Sequence, residues 1–173
     1  MSTIISPPVV LSIGGLAVET TSDFQILTPL SKLDRVSRQI DHTTLKSLPG
    51  QWAVIQVDGT LLNPAPDSTG NKCMALLATR NSLNIYEAND VKVDHITTLE
   101  TYGFRYQVGA VGADGQFDMG DDCVVSTNQG TLGKLVSVNY TGETGLYEIV
   151  ARVEQIIGQQ IVFRTLSPVM ITL

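Results

Sequence analysis

The densest run of side chains able to do chemistry is Asp114-Gly115-Gln116-Phe117-Asp118-Met119-Gly120-Asp121-Asp122, whose carboxylates suggest oxygen ligands for calcium. An EF-hand loop requires acidic or amide ligands at alternate positions, a closing glutamate and flanking helices. Here the spacing differs and the flanks have strand character, so the run reads as an acidic turn whose Asp and Gly serve the backbone. A histidine acts as a general base only beside a nucleophile and an orienting carboxylate. His95 sits between Asp94 and Ile96 without such a pairing, and His42 follows Asp41 in a linker, a poor place to hold a proton-transfer geometry. Cys73 and Cys123 belong to no Cys-x-x-Cys pair, and a zinc site needs about four clustered ligands. Each lies among apolar neighbours, where a reduced thiol behaves as a small core hydrophobe, and whether the two form a disulfide is left open by the sequence. No nucleophile elbow, His-Glu-x-x-His pair or phosphate-binding loop occurs. The expectation is a non-enzymatic protein with no catalytic residues, no metal and no cofactor.

The elements around these residues point to a binding scaffold. At 173 residues, 43% hydrophobic and 16% charged, the chain has the apolar content to fold as one domain with an appended segment. Its net charge of -6 argues against nucleic acid, because affinity for phosphate comes from Lys and Arg. The first basic residue is Lys32, so no positively charged leader precedes the apolar run Val9 to Val18. That run is broken by Ser12, Gly14 and Gly15 and is shorter than the roughly 20 residues that span a bilayer, so no membrane partner is expected.

Residues Met1 to Leu27 show neither sustained alternation nor a helical stripe and read as an extended arm. Thr28-Pro29 then has the form of a helix start, followed by Leu30, Leu33, Val36 and Ile40 at helical spacing. From Gly50 the period changes to two. Trp52 to Val57 leads into Asp58-Gly59, a tight-reversal signal. Further strands are expected at Lys72 to Thr79, Val91 to Thr98, Tyr102 to Val108, Cys123 to Ser126, Gly133 to Val138, Leu146 to Ile157 and Gln160 to Leu166, with a weaker one at Asn81 to Asn89. In the longest, Tyr147, Ile149, Ala151 and Val153 share one face. The expected fold is all-β: a small antiparallel barrel or sandwich with an extended N-terminal arm and one short helix. The division is residues 1–49 for the arm and linker, and 50–173 for the barrel.

Between Arg38-Gln39-Ile40-Asp41 and Leu48-Pro49-Gly50-Gln51-Trp52, through Asp58-Gly59, Tyr106-Gln107-Val108-Gly109, Gly120-Asp121 and Gly130-Thr131-Leu132-Gly133 to the hairpin at Gly158, the chain resembles the head decoration (cement) and related structural proteins of tailed bacteriophages. The likeness covers roughly residues 38 to 166, and the first 37 residues lie outside it. The resemblance implies a small β-barrel on the outer surface of the virion head, bound to the major capsid protein and stabilising contacts between its subunits. It also implies self-association, with a trimer favoured over a dimer. An arm of about 25 residues reaches roughly 80 Å when extended and can add a strand to a neighbour's sheet; the alternative is that it completes its own barrel as a first strand. Its candidate anchors are Pro7, Pro8, Val9, Val10, Leu11 and Ile13. Arg35 and Arg38, within the basic stretch Lys32 to Lys46, would meet acidic surface such as that of Glu87 to Asp122. The alternatives are another phage β-module of tail tube, head-completion or baseplate type, or a carbohydrate-binding β domain, for which the scattered aromatics supply no evident platform.

Overall fold

The computed structural model describes residues 9–13, 16–20, 23–40, 48–65, 72–80 and 94–173. In chain order its strands are β1 (Val9–Ile13), β2 (Leu16–Thr20), β3 (Phe24–Ile26), β4 (Arg35–Ile40), β5 (Trp52–Ile55), β6 (Leu61–Leu62), β7 (Lys72–Arg80), β8 (Asp94–Leu99), β9 (Arg105–Val108), β10 (Asp122–Val125), β11 (Leu135–Ser137), β12 (Leu146–Ile157) and β13 (Gln160–Thr172). The chain is all-β, as its alternation predicts. Three assemblies result: the hairpin β1–β2, a six-stranded antiparallel sheet ordered β11-β10-β12-β13-β9-β3, and a five-stranded barrel ordered β4-β6-β5-β7-β8. The barrel closes through β4 against β8 and through one parallel pair, Ile40 with Leu61.

Strand β5 explains how barrel and sheet join. Trp52, Ala53, Val54 and Ile55 are all buried because each side of the strand meets a different core. Ala53 and Ile55 pack with Leu61, Ala75, Leu77 and Ile96 inside the barrel. Trp52 and Val54 face outward, with Leu76 and Leu99, into a larger core shared with the sheet residues Tyr106, Val108, Cys123, Val125, Ala151 and Phe163. Burying each Val, Leu, Ile or Phe side chain among these contributes about 1.5–3 kcal/mol. A side-chain hydrogen bond crosses this core: the Trp52 indole N–H donates to the Tyr106 hydroxyl at 3.1 Å. Phe163 lies between Tyr106 and Phe117, with ring centroids 5.6 and 5.7 Å away.

The turn at Asp58-Gly59 forms as expected. Gly59 takes φ 88°, and Asp58 Oδ1 accepts from the Thr60 N–H at 2.9 Å and its hydroxyl at 2.7 Å. Gly112 is required for a different reason: a methyl there would stand 2.2 Å from the Gly50 carbonyl oxygen and 2.6 Å from Val108 Cγ2. Backbone cannot withdraw as a flexible side chain can. Gly112→Ala should therefore cost about 1–3 kcal/mol, measured by urea denaturation, whereas Gly115→Ala, with nothing within 4 Å, tests only the strain of its positive φ.

Two expectations are corrected. The helix from Thr28 is a single 3-10 turn, Leu30–Lys32, and the residues after it form β4. Pairing with β8 along its whole length supplies β4 with a ladder that a short isolated helix could not match in stability. The common face in β12 is also broken. Tyr147 and Ile149 pack against Val124, Val136, Ile171 and Leu173 on one side of the sheet, whereas Val150, Ala151 and Val153 lie in the main core. The register shifts between Ile149 and Ala151, whose partners are Val169 and Thr165. Pro168 sits in the extra length of β13 at that point and has no N–H to give the ladder.

Strands β3 and β4, both from the first 49 residues, are hydrogen-bonded into the sheet and the barrel. The part of the expected arm that stands outside these two assemblies therefore ends before Asp23. The expected strand at Asn81 to Asn89 lies outside the described residues. Among the described residues no helix is long and apolar enough to cross a membrane.

Candidate functional site

A polar cavity of about 310 Å³ is bordered by Asp114, Gln116, Asn128, Tyr140, Thr141 and Glu143. It is built by the turns that follow β10 and β11, where Gly133 and Gly145 take φ 80° and 120°. At its base Glu143 is buried, and its carboxylate accepts from five donors. These are the Ser126 hydroxyl (2.5 Å), the Thr127 N–H (3.2 Å) and hydroxyl (2.9 Å), the Asn128 side-chain amide (2.9 Å) and the Tyr147 hydroxyl. Burial by itself would raise the pKa of Glu143, but the hydrogen bonds from Ser126, Tyr147 and Thr127 outweigh it and hold the carboxyl below its ordinary range. A carboxylate so stabilised is a weak base, and Ser126 beside it is wholly buried. What this arrangement does is tie residues 126–128 to 143–147.

The acidic turn is occupied in the same way. Asp121 is buried and accepts from the Ser137 hydroxyl at 2.6 Å, the Asn139 amide at 2.7 Å and the Asp118 N–H at 2.9 Å. Burial opposes ionisation, yet the donors Ser137, Asp118 and Asn139 hold its pKa below the usual aspartate value. Asp118 in turn accepts from the Tyr140 hydroxyl, and Asp122 pairs with Arg152 at 2.8 Å. The run thus acts as a cap between β10 and the turn after β11, as its Asp-Gly composition suggests. Cys123 is a buried free thiol whose pKa is pushed up by burial and by the neighbouring Asp121 and Asp122. Glu148 is the exception: its Oε2 is buried without a hydrogen-bond partner, and burial raises its pKa.

An open groove of about 850 Å³ runs beside β4 and β8, bordered by Leu33, Asp34, Arg35, Ser37, Thr97 and Glu100. Arg35 is exposed at its lip. Arg38, expected beside it as a partner contact, is turned inward, pairing through Nε and Nη2 with both Glu100 oxygens and donating through Nη1 to the Gly59 carbonyl at 3.0 Å. Of the expected anchors, Val9, Val10, Leu11 and Ile13 form β1, which pairs with β2 in the register Val9 with Thr20 and Ile13 with Leu16. Pro7, Pro8 and His42 lie outside the described residues. His95 is on β8 opposite Gln39.

The Glu143 cluster escapes sequence inspection because its members come from separate turns and match no motif. For β1–β2 a signal exists: Gly14-Gly15 is a two-residue link between apolar runs, the pattern of a tight hairpin. No family model, curated protein or solved structure matches this chain.

Proposed function

We propose that this chain is a non-enzymatic structural protein of a tailed-phage virion. It binds the outer surface of the head and stabilises contacts between major capsid subunits. The observation that carries the proposal is the hairpin β1–β2, which among the described residues pairs with no other strand. A two-stranded hairpin is marginal in water by itself, so open edges of this kind are suited to adding strands to a neighbour. The body behind it spends its ionisable groups on its own turns, as Glu143 and Asp121 show, and Arg35 remains exposed beside the groove to meet acidic surface. Many copies on one shell would make modest individual contacts durable.

The test is occupancy. Full-length protein added to undecorated heads should appear as regular density on the outer surface in a cryo-electron reconstruction. A chain lacking residues 1–22 should leave the surface largely bare while its circular dichroism stays β-rich. Equal occupancy by the shortened chain would reject the hairpin as the attachment element, and failure of the intact protein to bind heads would reject the capsid reading itself.

A further inference from the structure

Strand β13 carries an edge that nothing described covers. Strand β9 lines it only from Ile161 to Arg164, with Gly103 and Phe104 continuing as far as Thr165. From Val169 to Thr172 the strand pairs with β12 on one side only. Which backbone groups point outward follows from the ladder's phase. Gly145 and Leu173 exchange both N–H···O bonds, at 3.1 and 2.9 Å. In antiparallel alternation the pairs Tyr147 with Ile171 and Ile149 with Val169 are then the bonded ones, and the N–H and C=O groups of Met170 and Thr172 face away from β12. The edge is also apolar, with Val169 62% and Met170 46% exposed. An open apolar edge of this kind templates pairing with another strand. At the far side of the sheet, β11 is covered by hydrogen bonds between Leu135 and the Gly112–Asp114 turn, at 2.8 and 3.0 Å.

The same chain holds a donor whose edges are unmet among the described residues, the hairpin β1–β2, each strand five residues long. It cannot serve its own acceptor. Asp23 is pinned at the end of the sheet that carries the β12–β13 turn, where its carbonyl accepts from Gly109 N–H at 2.9 Å and its carboxylate from Val111 N–H at 2.6 Å. From that end to Val169 is about seven ladder steps, or roughly 23 Å. Thr20 lies three residues before Asp23, within about 11 Å of it. Leu16, at the far end of β2, lies seven residues before Asp23 and reaches about 25 Å at most. The hairpin therefore cannot run the length of Val169–Thr172 of its own copy, whose Thr172 end is roughly 33 Å away.

We infer that the β1–β2 hairpin of one copy docks on the Val169–Thr172 edge of a second copy and extends its sheet across the interface. Donor and acceptor sit at different places on the body; we take the exchange to close, as a reciprocal dimer or a ring, rather than run on as an open filament. This contact concerns the protein alone and does not depend on the capsid reading. A hairpin has two edges, so one can pair with a second copy while the other meets a shell.

Met170→Pro isolates the contact, because it removes an outward N–H and leaves the bonds to β12 in place. Light scattering on full-length protein should show a discrete oligomer, and Met170→Pro should weaken self-association at least about tenfold, the scale of losing a hydrogen bond and a flush edge. Unchanged self-association of Met170→Pro, with β-rich circular dichroism, would overturn the inference, as would a wild-type chain that stays monomeric up to about 100 μM. Hydrogen exchange on the wild type gives a measurement independent of any variant. The Met170 and Thr172 amides should be protected in the oligomer and exchange rapidly on dilution to monomer, and rapid exchange within the oligomer would equally sink the idea.

Discussion

Trp52→Ala should destabilise the protein by about 3–5 kcal/mol, the range for truncating a large aromatic in a packed core. Trp52 is 5% exposed and belongs to the barrel, yet its neighbours include sheet residues and its indole N–H is bonded to Tyr106. The loss therefore falls on the junction between barrel and sheet. Urea denaturation followed by circular dichroism measures it, and a change below about 1 kcal/mol would mean that the two assemblies hold together without this residue. Trp52→Phe separates packing from hydrogen bonding, since it keeps most of the apolar area and orphans the buried Tyr106 hydroxyl at a cost of about 1–3 kcal/mol.

Removal of Glu143 is expected to be comparably severe. Glu143→Ala removes the acceptor shared by Ser126, Thr127, Asn128 and Tyr147. The Ser126 hydroxyl keeps Thr131, the Thr127 and Tyr147 hydroxyls keep each other and Asn128 is exposed to water, but the hydrogen bonds to the charged carboxylate are lost at about 1.5–3 kcal/mol each. Refilling by water offsets part of this in a polar cavity, so a net loss of about 3 kcal/mol is expected. The dependence on pH has a definite sign. The folded-state pKa of Glu143 is lowered, so its contribution is complete above the ordinary glutamate value of about 4.3 and fades as pH falls through the folded value. Asp121 behaves alike. Glu143→Gln should then flatten the stability profile below about pH 4.3, and an unchanged acid slope would show that Glu143 titrates no differently in the folded and unfolded chain.

Much of the fold was legible where the pattern is local. Leu146–Ile157 is bounded as its alternation and Gly158 suggest, and Asp58-Gly59 makes its turn. Phe104, Tyr106 and Val108 share the buried face that period-two spacing gives them. The errors arose where a distant partner decides. Leu30, Leu33, Val36 and Ile40 have helical spacing, but β8, more than fifty residues away, recruits Arg35–Ile40 as a strand. The break in β12 falls opposite the stretch of β13 that holds Pro168, a cue visible only once the pairing is known. The Glu143 cluster was illegible because Ser126, Thr127 and Tyr147 are ordinary residues until two turns bring them to one carboxylate.

Strand β5 has a consequence for how the molecule could be re-engineered. With Ala53 and Ile55 committed to one interior and Trp52 and Val54 to another, the five-stranded unit is not a transplantable module. Grafted elsewhere without the companion sheet, it would present a tryptophan and its aliphatic neighbours as a sticky flank. Shuffling in this lineage should therefore spare the wall common to both halves and swap loops at the periphery instead.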